Sequence, residues 1–504
     1  MSPVIGMTDQ GAAPVRGPSI VTPRTGLIHA ARAALALSGQ GRHNGLMLDP
    51  NPPRLAAGRV SFLAILGHAI ANITPSAMAT VTISLVAAQG GVLTWAVYLT
   101  VGLVMLLVAA QVAALARLAP SAGSLFVSVS RALHPLAGVL SGWAMMGGYF
   151  GALLAAPIIG GLFVTKALGV LGLPFPWLGT ALPFALLAWG LTVRDVGVAT
   201  RYSLYVEAVS LVFIVVIGLY VLGHAVTLTV PRPSTPFAWG PFFQAMTLSV
   251  LAYGGFETAA NLGREARSPA DVPRAIGAAV LVSLVFYVFM AYAELAGFHG
   301  HARRLGETAA PLSALAVKNG LPVLALLSDM AMAIAAFSAT VATLNSLGRL
   351  LYSMGRHRVL PAALGQVGRH RTPSVALHTL GGLTALFAVL AAAAGWRPLA
   401  IVDLFGVFTA QGFLLIYLLA MAAIPVLRKR QGGPAPWGAY AALAAAGPIL
   451  LYVFAQNFWG ASGLALIAAY TFLGYLLLGA LLYARWQRRS GSIPSALLFV
   501  RDDD

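Results

Sequence analysis

Between about residues 58 and 484 the chain alternates apolar blocks of roughly 20–30 residues with short polar or basic stretches. A helix needs about 20 consecutive apolar residues to cross the hydrocarbon core of a bilayer. Each block therefore predicts one crossing. Twelve fit, at about 58–88, 92–116, 133–165, 173–192, 199–223, 240–262, 274–298, 322–354, 373–394, 399–426, 436–456 and 460–484. The expected fold is an all-α polytopic membrane protein with a single transmembrane domain over 56–486. A polar, period-free tail over 1–55, rich in Pro, Gly and Ser, reads as disordered. Residues 487–504 form a second tail.

Composition supports this. The 504 residues are 59% hydrophobic and 9% charged, whereas soluble proteins carry about 25% charged residues. The net charge is +17, but the basic residues lie between apolar blocks and form no basic helix or aromatic-interleaved patch. That speaks against a nucleic-acid partner. Their distribution sets topology instead. With the N-terminus inside, 25 of the 31 Lys and Arg residues fall on inner segments and 6 on outer ones, as the positive-inside rule expects. Both termini are thus expected in the cytoplasm of a multi-pass protein of the cell membrane. The chain has no cysteine, which removes disulfides, thiolate metal sites and cysteine nucleophiles. No HExxH, GxSxG or P-loop pattern occurs, so neither an enzyme nor an ATP-driven pump is indicated, and no cofactor is expected.

Two blocks carry helix breakers at their centres. The first holds Asn72, Ile73, Thr74, Pro75 and Ser76, and proline removes a backbone donor and disfavours helix at the preceding residue. The sixth holds Ala252, Tyr253, Gly254, Gly255, Phe256 and Glu257, and each glycine costs about 1 kcal/mol inside a helix. Irregular backbone at membrane depth is tolerated only where protein buries it or a cavity accepts it. The two breaks are five spans apart, which points to an inverted-repeat transporter with a central site. Helix ends there expose amides to an anion and carbonyls to a cation, and a free amino acid carries both charges. A channel would need no such asymmetric pair.

Six ionisable residues lie within the spans: His68, Glu207, Glu257, Glu294, Asp329 and Asp403. Such groups usually face the bundle interior. Glu257, beside the second break, could bind an amine, titrate or hold the broken ends. Glu207 is a candidate proton carrier. Asp403 is a candidate for closing the outer side. Glu294 and Asp329 read as interface or gate residues and His68 as a packing residue. Tyr149, in the GGYFGALLAAP stretch of the third span, is a candidate pocket wall.

Three cytoplasmic stretches carry a resemblance. GFETAANLGREARSPADVPRAI (255–276), FSATVATLNSLGRLLYSMGRHRVLPAAL (337–364) and RTPSVAL (371–377) resemble, together with PSAGSLFVSVSRALHPLAGVLSGW (120–143), the amino acid permeases of the amino acid–polyamine–organocation superfamily. The resemblance covers about 55–485. It implies a LeuT-like fold, with spans 1–5 and 6–10 as inverted repeats plus two peripheral helices. It also implies import or exchange of amino acids or related amines, often coupled to protons. By the same resemblance, Asn72 to Ser76 would hold a substrate carboxylate through amides and a hydroxyl. Carbonyls from Ala252 to Gly255 would meet its amine, and Phe256 would gate it. The chain departs from the family in two places. Its first break reads ITPSA where a Gly-x-Gly turn is common. Its fifth span, YSLYVEAVSLVFIVVIGLY, lacks the lysine of some proton-coupled members. Glu265 could pair with Arg349 or Arg356 as an inner latch. A neutral amino acid is the default substrate, with a polyamine or other organocation as the alternative.

Overall fold

The computed structural model describes residues 60–118, 124–194, 196–224, 238–263, 266–308, 310–356, 359–368, 372–434 and 436–490. The N-terminal tail expected over 1–55, and all but the first few residues of the C-terminal one, lie outside this set. The described elements are helical. The one extended contact is a bridge between Val60 and Ala266, beside which the Arg267 N–H donates to Val60 O at 2.9 Å. That bridge joins the start of the first apolar block to the end of the sixth.

In chain order the helices begin with α1 (Phe62–Ile73), α2 (Pro75–Gly90), α3 (Thr94–Leu118), α4 (Ser124–Ala132) and α5 (Pro135–Val170). They continue with α6 (Trp177–Arg194), α7 (Val196–Gly223), α8 (Trp239–Tyr253), a 3₁₀ segment (Phe256–Leu262) and α9 (Asp271–Gly297). The remainder are α10 (Ala302–Gly306), α11 (Pro311–Lys318), α12 (Pro322–Arg356), α13 (Ser374–Ala393), α14 (Pro398–Arg430), α15 (Trp437–Gln456) and α16 (Gly463–Ser490). Among the described residues, nine helical stretches are long and apolar enough to cross a membrane, one of them the 57-residue run Phe62–Leu118. The chain is a membrane protein.

The interior is built on the three longest helices. α5 packs along both α12 and α14, and α9 lies along α3. Small residues let these helices approach. A Cβ on Gly412 of α14 would lie 2.6 Å from the Ala144 carbonyl of α5, so only glycine permits that crossing. The last two helices are among the least buried. In their most apolar windows, 33% of α15 and 22% of α16 is buried, against 67% for α14. Leu451, Leu473, Leu477 and Leu481 on them face outward, as lipid-facing residues do.

Three short helices were not legible as apolar blocks. α4, α10 and α11 lie in segments that read as loops. α11 is eight residues long and buries Leu312, Leu315 and Ala316 on one side. A run that short shows too few turns for its period to stand out. Asp329 of α12 accepts a 3.0 Å bond from Ser313 of α11, which fixes the short helix to its neighbour.

Candidate functional site

The first break is one residue wide. Thr74 sits in the left-handed region, at φ 50 and ψ 57, between the end of α1 and Pro75 at the start of α2. A β-branched residue rarely adopts this conformation. Here local bonds hold it. Its N–H donates to Ile70 O at 2.8 Å and its hydroxyl to Ala71 O at 2.9 Å, while its carbonyl accepts from the Met78 N–H at 3.0 Å. Of the last four carbonyls of α1, those of Ile70 and Ala71 are therefore engaged locally. Those of Asn72 and Ile73 are released. On the other side Pro75 offers no donor, which leaves the amides of Ser76 and Ala77 to open α2.

The second break separates α8 from the 3₁₀ segment. Gly254 ends α8 with an extended conformation, φ −59 and ψ 144, and Gly255 follows at φ 115 and ψ −20. Only glycine adopts that second conformation without strain. Ala252 O, freed by the break, accepts from the Tyr287 hydroxyl of α9 at 2.6 Å. Gly255 O accepts from both the amide and the hydroxyl of Thr258.

The two breaks touch. A Cβ on Gly255 would lie 2.6 Å from Asn72 O and 3.0 Å from Ile73 N. One broken backbone rests directly on the other.

Behind this junction Glu257 gathers donors from three elements. Its Oε1 accepts from the hydroxyl of Tyr149 on α5. Its Oε2 accepts from the Gly255 N–H at 3.1 Å and from the hydroxyl of Tyr417 on α14 at 2.9 Å. Glu257 is fully buried. The three donors tie the carboxylate to the second break through Gly255 and to α5 and α14 through the two tyrosines.

Glu207 comes from the middle of α7. Its Oε1 accepts from both the amide of Ser76, at 3.0 Å, and the Ser76 hydroxyl, at 2.7 Å. The serine expected to offer these groups to a substrate thus donates them to the protein itself. On the far side of the first break, the Asn72 side chain donates to His68 O at 2.9 Å and accepts from the Ser346 hydroxyl of α12 at 2.8 Å.

Both breaks open onto one cavity of about 70 Å³. A single water needs about 10–15 Å³ by this kind of measure, so the space is more than a packing void. Asn72, Ile73, Thr74, Tyr149, Gly254 and Gly255 line it. The rest of its wall is apolar, chiefly Val81, Leu85, Ile159, Leu248, Phe405 and Phe413, with hydroxyls from Thr82, Thr343 and Thr409. Among the described residues, no charged side chain lines it.

Other residues singled out from the sequence lie off this wall. Pro75 and Ser76 do not line it, and Ser76 is turned to Glu207 of α7. Ala252 is capped by Tyr287, and Tyr253 sends its hydroxyl to Tyr98 O at 3.0 Å. Phe256 stacks on Tyr417 with ring centroids 5.2 Å apart, behind the junction rather than over the cavity. Asp403 is half-buried one residue after Val402, which does line the cavity. Glu294 is fully buried on α9, and neither of its oxygens has a partner among the described residues. Arg349 is half-buried and Arg356 exposed near the end of α12. Glu265 lies outside the described residues, and with it the inner latch.

Sequence reading missed Tyr417, Phe413, Tyr287 and Ser346. Each acts on a residue distant in the chain, Tyr417 on Glu257 160 positions away. A lone tyrosine in an apolar span gives no local sign of such a partner. Phe413 packs edge-on against Tyr149 at 5.6 Å and lies against Gly254, where a Cβ would meet it at 2.4 Å.

A buried pair of interrupted membrane helices around one cavity is the kind of arrangement found at transport sites. The chain belongs to the amino acid permease family, whose sequence model matches residues 65–494. It is 27% identical over 375 residues to the branched-chain amino acid permease BcaP of Lactococcus lactis, covering 68% of this chain and 76% of that protein. It is 29% identical over 323 residues to an uncharacterized transporter of Mycobacterium tuberculosis, covering 62% of this chain and 68% of the relative. It is 24% identical over 294 residues to the low-affinity putrescine importer PlaP of Escherichia coli, covering 54% of this chain and 62% of that protein. The family marks the chain as a transporter rather than an enzyme.

Proposed function

We propose that this protein is a secondary transporter that carries neutral, apolar amino acids across the cell membrane by alternating access, coupled to protons. One observation carries the reading: two helix breaks open onto a single cavity whose remaining wall is apolar and uncharged. The C-terminal ends of α1 and α8 present partial negative charge. The released carbonyls of Asn72 and Ile73, with that of Gly254, are the acceptors for the substrate's ammonium. The N-terminal turn of α2 is the end that attracts its carboxylate. Val81, Leu85, Ile159 and Phe413 are left to receive an apolar side chain. The similarity to BcaP fits this substrate class. A polyamine would want a carboxylate on the cavity wall, and the one nearest the break, Glu257, does not line it and accepts three hydrogen bonds from the protein.

In this reading the transporter domain covers 56–486 and crosses the membrane twelve times. The run Phe62–Leu118 makes two crossings, and α6 and the α8–3₁₀ pair make one each. Spans 1–5 and 6–10 are the inverted repeats of a LeuT-like fold, α15 and α16 are the peripheral pair, and both termini are cytoplasmic. Glu207 carries the coupling proton. Asp403 closes the outer side, and the α12 arginines Arg349 and Arg356 serve the inner gate with Glu265.

The test is counterflow in liposomes. Vesicles loaded with unlabelled L-leucine should accumulate labelled leucine transiently above equilibrium. Labelled leucine that only equilibrates identifies a channel, and no entry for any amino acid defeats the reading. Phe413 supplies a finer check. Phe413→Ala opens the wall beside Tyr149, and one methylene of pocket fit is worth about 1–3 kcal/mol. The ratio of phenylalanine to valine uptake should rise about tenfold or more. An unchanged ratio would place the side-chain pocket elsewhere.

A further inference from the structure

Ser76 lies in the first turn of α2, where the helix dipole and amides without intrahelical partners favour an anion. Few donors serve that turn. Pro75 has no N–H, the Thr74 N–H is spent on Ile70 O, and the Met78 N–H on Thr74 O. The Ala77 N–H remains, and the amide and hydroxyl of Ser76 both converge on one oxygen of Glu207. The other oxygen of Glu207 has no partner among the described residues, although the residue is 1% exposed. A carboxylate of the protein therefore occupies donors at the N-terminal turn of α2, next to Thr74 of the cavity wall.

We propose that Glu207 is an internal competitor for the substrate carboxylate: a substrate bearing a carboxylate displaces it from Ser76, and the displaced Glu207 takes up one proton. This rests on the transport function proposed above and names how its coupling depends on the substrate. Ser76 keeps both hydrogen bonds and exchanges one acceptor for another. No bond of the substrate changes. The proton comes from water on the open side and binds the Glu207 carboxylate, which would otherwise be left charged, buried and without donors beside a second carboxylate. An amine without a carboxylate leaves Glu207 on Ser76 and takes up no proton. The same residue thus couples proton entry to amino acids and not to their decarboxylated counterparts.

Other titratable groups around Glu207 do not supply this exchange. α7 packs against α1, α2, α6, α9, α11 and α12. α2 carries no titratable side chain. On α1, His68 lies beside Asn72. On α9, the Tyr287 hydroxyl is committed to Ala252 O, and Glu294 is a second buried carboxyl. On α12, Asp329 accepts from Ser313 and Arg349 lies toward the helix end. α6 and α11 bring only Arg194 and Lys318, at their ends.

The experiment is calorimetric titration of the purified full chain in buffers of differing ionisation enthalpy, over about pH 6–9. The probes are L-leucine and 3-methylbutylamine, which is leucine without its carboxylate. Leucine should take up close to one proton per molecule bound. On the alkaline side its affinity should fall about tenfold per pH unit, the slope of one linked proton. Binding of 3-methylbutylamine should take up none. In Glu207→Gln, leucine should bind without proton uptake and lose that slope. Leucine binding to the wild type with no proton uptake overturns the proposal by itself, so an unstable variant does not protect it. Proton uptake undiminished in Glu207→Gln overturns it too, while leaving the transport function standing. Absence of any leucine binding overturns the apolar-substrate function and this assignment together.

Discussion

Gly255→Ala should reduce leucine uptake into proteoliposomes at least tenfold. Two costs add. Gly255 is at φ 115, where a non-glycine residue carries about 1–3 kcal/mol of strain. The new Cβ would also fall 2.6 Å from Asn72 O and 2.7 Å from Asn72 C. Those atoms are backbone and cannot rotate away like a side chain. The two breaks would have to separate, and the carbonyls proposed to hold the ammonium would lose their alignment. Each 1.4 kcal/mol lost from binding is a factor of about ten. Gly277→Ala on α9 is the matched control, because nothing lies within 4 Å of a Cβ there. It should transport normally and gain up to about 1 kcal/mol from helix propensity. Near-normal uptake by Gly255→Ala would show that contact between the breaks is dispensable.

Glu257→Gln should lower the melting temperature of the purified protein and abolish uptake with it. Glu257 accepts three hydrogen bonds, from Tyr149, Tyr417 and Gly255, and donates none of them. The glutamine amide would turn an NH₂ toward at least one of those donors. A buried donor left unpaired costs about 1–3 kcal/mol, and more where the lost partner was charged. A total of about 2–4 kcal/mol is expected. Tyr417→Phe removes one donor and leaves the other two satisfied, so its loss should be smaller. The double variant Tyr417→Phe/Glu257→Gln should be less unstable than the sum of its parts, by about 0.5–3 kcal/mol for residues in direct contact. A Glu257→Gln protein of normal melting temperature with weakened leucine binding would instead make Glu257 a direct ligand of the amine.

Much of the fold could be read from the chain because lipid imposes simple demands. A crossing helix must be long and apolar. Interruptions at Pro75 and at Gly254–Gly255 stood out because few residues break a helix so strongly. Tyr149 was visible as an aromatic in a glycine-rich span that borders the cavity. Phe256 was equally visible, yet it packs behind the junction on Tyr417. The 3₁₀ turn after Gly255 decides which way it points, and no local pattern encodes that.

Glu207 shows the same boundary most sharply. Its depth in an apolar span marked it as a group with a purpose, since burying a charge in lipid is expensive. Its partner, Ser76, lies 131 residues away. The amides that Ser76 and its neighbours expose are a local consequence of Pro75 and of the turn at Thr74. Whether a substrate or the protein's own carboxylate meets them depends on how α7 packs against α2. Apolar length, charge asymmetry and helix breakers act within a few turns of one helix, so they are written in consecutive residues. Occupancy of the exposed dipoles at each break is settled by distances between helices far apart in the chain, and those distances arise only when the bundle has packed.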